Sequence, residues 1–389
     1  MSEIDVYRVM VTDDSAVIRG LITRILEADP AIKVVGSASD GRMAVNTMKR
    51  LAGEGTPVDA MVLDIEMPGM DGLAAIPRLL EADPHLKIIM ASTLTLQNAS
   101  ASLRALALGA SDYVPKPTST GAINGTDAFK RELVQKVKTL GGIGRDARRE
   151  TRPTAQGAGR VPAPAAGVRS APAAPKLSNA NRTTPSRAIA LRRGIELPPA
   201  VIVIGSSTGG PQALSVLLDK LPADLGLPIL ITQHMPPTFT TILAQHLAKS
   251  SGVPAAEAVD GEPVRGGRIY VAPGDFHMVP VAEPDGVRLR LTKEAPENFC
   301  RPSVDPMFRG AAQVWGGRVA GIVLTGMGQD GLAGGQALVE AGGTLLAQDE
   351  KTSVVWGMPG AVAMGGLCTA VLPLPDLARW LRLRLGRTS

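Results

Sequence analysis

The sequence predicts an α/β protein of two domains, each built on a parallel sheet, and three observations predict it. Strand-like apolar runs alternate with helical patterns through both halves of the chain. Its 389 residues are long for one hydrophobic core and predict about two domains. A stretch dense in Ala, Pro, Gly and Arg, without an aromatic residue, separates the halves and offers too little apolar surface to offset the entropy of ordering it. The domains are expected at 1–140 and 198–389, with a disordered basic linker over 141–197.

In the first half the strand candidates are Val6 to Val11, Ile32 to Val35, Ala60 to Leu63, Leu86 to Met90, and Tyr113-Val114. Helical patterns fall between them, with Ser15 the expected N-cap ahead of Val17, Leu21 and Leu26, and Asp40 the N-cap of the next. Five βα repeats make a sheet covered on both faces, with any site at the carboxyl ends of the strands. From Pro198 strands recur at Val201 to Ile204, Ile229 to Thr232, Arg268 to Val271, Val287 to Leu291, Val319 to Leu324 and Thr344 to Ala347, which predicts a second α/β sheet.

Charge and composition exclude several classes. The formal net charge is +5, but between Arg145 and Gly194 eleven Lys/Arg face only Asp146 and Glu150, so this segment carries +9 and the rest of the chain −4. The basicity belongs to the linker, no helix-turn-helix with basic recognition positions is evident, and no nucleic-acid partner is expected. No uncharged apolar run is long enough to span a bilayer, and Met1-Ser-Glu-Ile-Asp lacks the basic-then-apolar layout of a signal peptide. A cytoplasmic protein without membrane insertion is expected. Two cysteines, Cys300 and Cys368, cannot form a disulfide framework and read as structural.

The polar residues of the first half sit at successive strand ends. Asp13 and Asp14 follow the first strand, Asp64 ends the third, Ser92 ends the fourth, and Lys116 follows the fifth. Three converging carboxylates repel one another, so a hard divalent cation, Mg²⁺, is their natural partner, with Lys116 a point charge for phosphate and Ser92 a hydroxyl donor. With Asp13-Asp14-Ser15, Asp64-Ile-Glu-Met-Pro-Gly-Met-Asp71-Gly72 and Lys116-Pro117, the first 125 or so residues resemble the response-regulator receiver domain, a flavodoxin-like (βα)5 fold. That resemblance implies that Asp64 accepts a phosphoryl group from a histidine kinase and that Asp13, Asp14, Asp64 and the Glu66 carbonyl hold Mg²⁺. It further implies that Ser92 and Lys116 sense the phosphate, that Tyr113 is an aromatic switch, and that the Lys116-Pro117 bond is cis.

In the second half, Ala200-Val-Ile-Val-Ile-Gly205-Ser206-Ser207-Thr208-Gly209-Gly210-Pro211 reads as a buried strand that delivers a serine into a glycine-lined turn opening a helix. Its Gly205 to Gly209 core fits the G-x-S-x-G elbow and singles out Ser207 over Ser206. A phosphate-cradling loop is the other reading of such glycines, but neither the Lys of a P-loop nor a G-x-G-x-x-G accompanies them. A serine nucleophile needs a base and an acid to orient it. Of the four histidines, His85 lies in the first domain and His246 on the amphipathic stretch from Ile242, while His234 ends a strand and His277 follows Ala272-Pro-Gly-Asp275-Phe276; strand-end position favours His234. Asp330, in Gly326-Met327-Gly328-Gln329-Asp330-Gly331, also follows a strand, and the glycines of this loop could present N–H groups to an oxyanion. The order Ser207, His234, Asp330 departs from the α/β-hydrolase order.

Together with Thr232-Gln233-His234-Met235-Pro236-Pro237, Gly274-Asp275-Phe276-His277-Met278 and Arg301-Pro302-Ser303-Val304-Asp305, residues 198 to about 385 resemble the chemotaxis protein-glutamate methylesterase (CheB) family. The resemblance implies Ser207 as nucleophile, His234 as general base, Asp330 as its orienting acid, and the Met327 backbone N–H at the oxyanion. It also implies hydrolysis of glutamate γ-methyl esters on chemoreceptor helices, with receptor glutamine deamidation as a related activity. Two other classes remain consistent with the residues alone: a non-enzymatic response regulator that binds DNA or a protein, and a serine hydrolase of a small ester.

Overall fold

The computed structural model describes residues 6–93, 95–116, 123–151, 189–193, 197–222 and 224–384. The expected cis bond at Lys116-Pro117 and most of the expected linker lie outside them.

The first domain forms as its pattern dictates. Strands β1 (Tyr7–Thr12), β2 (Ile32–Ala38), β3 (Ala60–Asp64), β4 (Lys87–Ser92) and β5 (Asp112–Pro115) pair in parallel in the order β2-β1-β3-β4-β5. Helices α1 (Ala16–Glu27), α2 (Gly41–Gly53), α3 (Gly72–Ala82), α4 (Leu96–Ala107) and α5 (Ile123–Thr151) cover the faces. The central strands are apolar runs because both of their faces are covered, and Val9, Met10 and Val11 are fully buried. Ser15 caps α1 by accepting from the Ile18 N–H, and Asp40 caps α2 from Met43 N–H at 2.9 Å, each cap contributing about 1 kcal/mol.

Helix α5 runs on through Thr151, past the boundary expected at 140. Charge explains the extension. The Arg148 guanidinium reaches back under the sheet to Asp59 Oδ1 at 2.9 Å, the Val58 carbonyl at 2.6 Å and Asp83, so a basic residue counted with the linker is instead a tie to the domain.

The second domain is a seven-stranded sheet in the order β14-β13-β12-β6-β7-β9-β8. It uses β6 (Val201–Ser206), β7 (Ile229–Gln233), β8 (Ala255–Glu257), β9 (Ile269–Val271), β12 (Val319–Val323), β13 (Thr344–Gln348) and β14 (Ala370–Leu372), all paired in parallel. Helices α6 (Gly210–Asp219), α7 (Phe239–Ser251), α8 (Val304–Trp315), α9 (Leu332–Glu340), α10 (Met358–Met364) and α11 (Leu374–Arg384) pack on it. Strand β6 lies between β7 and β12, so the chain leaves it toward one side and returns on the other, and the crevice above its carboxyl end is a topological switch point.

One expected strand of the parallel sheet belongs elsewhere. Val287 to Leu291 lies in β11 (Gly286–Thr292), which pairs antiparallel with β10 (His277–Glu283) in a separate hairpin. The Pro284-Asp285 turn closes the hairpin between Glu283 and Gly286, the latter at φ 135, and this local pairing prevails over membership of the sheet. Among the described residues no helix is long and apolar enough to cross a membrane.

Candidate active site

At the carboxyl end of the first sheet, Asp13, Asp14 and Asp64 bring carboxylate oxygens within 4.8 Å of one another. Mutual repulsion is relieved by Lys116, whose Nζ lies 2.7 Å from both Asp13 Oδ2 and Asp64 Oδ1. Burial pushes the Asp64 carboxyl above its ordinary value while Lys116 pulls it down. Burial works against the Lys116 charge, but the two carboxylates outweigh it and its pKa is raised. Three hard oxygen donors beside one ammonium fit a divalent cation with Mg²⁺ preferences. Ser92 is buried at the end of β4, where it accepts from Ser102 Oγ at 3.1 Å, and Glu66 is exposed on the loop after β3.

The second site is assembled by the ends of three adjacent strands. Beyond β6 the chain turns through Gly209, whose φ of 76 suits a residue without a Cβ, and α6 begins with Pro211 in its first turn. Gly326, after β12, lies so close that a Cβ there would sit 2.9 Å from that of Ser207, so glycine is required for the two loops to meet. Gln233, at the end of β7, donates from Nε2 to the carbonyls of Ser207 at 2.9 Å and His234 at 3.3 Å, locking the two loops in register.

Asp330 is 1% exposed and accepts the His234 Nε2–H at 2.7 Å through Oδ2. A carboxylate can only accept, so Nε2 carries the proton and Nδ1 is left as the basic nitrogen. The backbone N–H of Val304 also donates to Asp330 Oδ2, at 2.7 Å, while Ser303 Oγ at 2.8 Å and the N–H groups of Asp305 and Gly331 donate to Oδ1. Burial would raise the Asp330 pKa, but His234 and these donors outweigh it and hold it down at about 2.

The other histidines fall away from this centre. His277 is 1% exposed at the start of β10, with Nδ1 accepting from the Ser303 N–H and Nε2 facing the Ala295 carbonyl, and His246 is exposed on α7. Ser206 is buried and donates to Gln233 Oε1 at 2.7 Å, which commits its hydroxyl to structure.

One expectation is corrected here. Cys300, read as merely structural, places Sγ 3.4 Å from His234 Nδ1, and among the described residues this thiol, not Ser207, is the hydrogen-bonding neighbour of that nitrogen. Burial of the imidazole opposes its charge, yet Cys300 and Asp330 together raise the His234 pKa to about 10. A base is effective only when neutral, so its activity grows as pH rises through its pKa. Cys300→Ala removes one of the groups favouring the imidazolium, and the rising limb of the activity–pH profile is expected to move to lower pH. An unmoved limb would leave Asp330 as the sole cause.

The two sites meet through a polar and aromatic seam. Thr208, next to Ser207, donates to Asp112 Oδ2 on β5 at 2.6 Å, and Gln212 Nε2 reaches the carbonyls of Leu106 at 3.2 Å and Ala110 at 3.4 Å. Tyr113, buried beside Asp112, stacks on Phe239 with centroids 4.6 Å apart. Sequence reasoning missed what Thr208, Asp112, Gln233 and Cys300 touch, although Thr208 and Gln233 lie within the quoted motifs.

An acidic receiver-type pocket, and a histidine–aspartate pair at the strand ends of a parallel sheet beside a G-x-S-x-G turn, define a response regulator with a hydrolase-like output domain. Comparison with known proteins agrees. Residues 9–125 match the response regulator receiver domain, and residues 202–381 match the CheB methylesterase. The chain is 54% identical to a protein-glutamate methylesterase/protein-glutamine glutaminase of Rhodospirillum centenum, covering 99% of this chain and 95% of that one. It is also 54% identical to the corresponding protein of Azospirillum brasilense, with 99% and 94% covered. The CheB methylesterase catalytic domain of Thermotoga maritima aligns with 48% of this chain and 98% of its own, at 40% identity and a TM-score of 0.46. The chain belongs to the protein-glutamate methylesterase/protein-glutamine glutaminase family.

Proposed function

We propose that this chain hydrolyses glutamate γ-methyl esters on the cytoplasmic helices of chemoreceptors, and deamidates receptor glutamine, in chemotaxis adaptation under control of its receiver domain. The observation that carries the reading is the Asp330–His234 hydrogen bond of 2.7 Å, set on the loops adjoining Ser207. In this reading Ser207 Oγ attacks the ester carbonyl carbon while its proton passes to His234 Nδ1, displacing the Cys300 contact. The oxyanion is held by the Met327 backbone N–H in the glycine loop. Collapse of the tetrahedral intermediate breaks the C–OCH₃ bond, the methoxy oxygen takes the proton from His234, and methanol leaves. Water then attacks the acyl-serine with His234 again as base, freeing the glutamate carboxylate.

In the receiver, Asp64 is the phosphoacceptor for a histidine kinase. Asp13, Asp14, Asp64 and the Glu66 carbonyl would hold Mg²⁺, which when bound neutralises charge on the transferring phosphoryl group. Ser92 and Lys116 sense the phosphoryl group, and Tyr113, stacked on Phe239, carries that change to the seam. The Thr208–Asp112 bond beside the nucleophile supports a receiver that restrains the esterase.

Methanol release from methylated receptor membranes, with and without a small phosphodonor, tests the activity; no release in either condition would overturn it. Asp64→Asn is expected to abolish stimulation by the phosphodonor while sparing basal activity. Deleting residues 1–151 should raise basal activity, by about 5- to 150-fold if the coupling is of ordinary size. A folded truncation no more active than the unphosphorylated parent would rule out restraint and make the receiver an activator.

A further inference from the structure

The acid of the site is not alone. Asp305, 3% exposed in the first turn of α8, lies against Asp330 and shares donors with it. The Gly331 N–H reaches Oδ1 of both at 3.0 Å, and Asn298 Nδ2 lies 2.9 Å from Asp305 Oδ2 and 3.0 Å from Asp330 Oδ1. Two buried carboxylates side by side repel, and a bridging amide is the neutral group that can satisfy both without neutralising either. Asn298 reaches them from an exposed loop in which it and Phe299 both take left-handed backbone conformations, φ 51 and 63. Asparagine tolerates that region; phenylalanine does so under strain. The Phe299 ring, largely exposed, lies under the guanidinium of Arg131 from α5, 4.8 Å from its centroid.

We infer that Asn298 is a positioning residue, its amide fixing the Asp330 carboxylate against His234 by tying it to Asp305. The inference rests on the reading of Asp330 as the orienting acid. The groups facing the pair are His234 from the end of β7, with Cys300 across its ring; Arg309 along α8, itself held by Glu297 at 2.9 Å; and His277, acting through Ser303. Burial, then Asp330, raises the Asp305 pKa to about 6, and the Asn298 amide opposes that rise. Once protonated, Asp305 places an acidic hydrogen beside Asp330 and competes with His234 for its charge. Losing the amide therefore makes Asp305 hold its proton to higher pH.

The test is the ester-hydrolysis rate of the full chain, saturated with phosphodonor, across pH. Asn298→Ala is expected to lower kcat about tenfold with KM unchanged, the cost of one hydrogen bond to a charged group. The rising limb set by His234 should move to lower pH, because an Asp330 no longer fixed against the ring favours the imidazolium less. Asn298→Asp keeps the size of the side chain but replaces the bridge with a third carboxylate, and should lower kcat more strongly. Because Asn298 is exposed, thermal unfolding should shift little. Parent-like kcat in both variants, or an unmoved rising limb in Asn298→Ala, would overturn the inference, as would a loss of kcat that only tracks lost stability. Asp330→Asn, run alongside, separates the two failures: if it stays active, the role of Asp330 itself is wrong.

Discussion

Ser207→Ala is expected to lower the rate of methyl-ester hydrolysis by about four orders of magnitude or more, leaving the weak turnover that binding and oxyanion stabilisation sustain alone. Ser206→Ala is expected to keep most of the activity. The difference is geometric. Ser207 sits where the loops after β6 and β12 meet, with Gln233 holding its carbonyl in line with that of His234. Ser206 points into the protein and spends its hydroxyl on Gln233 Oε1. Removing that hydroxyl leaves a buried acceptor short of a donor, a loss of about 1–3 kcal/mol that falls on stability. Measured as kcat/KM for methanol release, equal losses from the two variants would show that the elbow had been read one residue out of register.

What the sequence made legible was whatever follows from period and position. The apolar runs at Val9 to Val11 and Val201 to Ile204 are strands because a sheet covered on both faces demands unbroken hydrophobicity, and Asp13, Asp64, Ser207, His234 and Asp330 all stand at carboxyl ends, where such sheets put chemistry. Val287 to Leu291 shows the limit of that reasoning, since a local hairpin and a strand of the parallel sheet have the same apolar pattern. The support of the site was hidden for a different reason. Asn298, Cys300, Ser303 and Asp305 reach Asp330 and His234 across the fold, and nothing in their spacing from those residues marks the contact. The one local signal was Ser303 with Asp305 two positions later ahead of an apolar helix, which announces a helix start but not what the acid faces. The seam between the domains was likewise invisible, because Thr208 and Asp112 are ordinary strand-end residues until the second domain docks on the first.

His234→Ala should be nearly as damaging as loss of the nucleophile, whereas His277→Ala should cost stability and leave turnover within about tenfold of the parent. Both rings lie next to groups that hold Asp330, so proximity does not distinguish them; proton bookkeeping does. His234 gives its Nε2–H to a carboxylate kept ionised by its donors, and in the proposed mechanism this leaves Nδ1 for the serine proton and stabilises the imidazolium that results. His277 has both nitrogens engaged by backbone, Nδ1 by the Ser303 N–H and Nε2 by the Ala295 carbonyl, and is 1% exposed, so it can reach no substrate. Its removal loosens Ser303, one of four groups donating to Asp330 Oδ1, and the remaining three still hold the acid in place. The two variants should therefore separate on activity, His234→Ala inactive and His277→Ala active, while each loses a buried hydrogen bond and some stability. An inactive, normally folded His277→Ala would move the base to the Gly274-Asp275-Phe276-His277 loop and dissolve the triad as drawn.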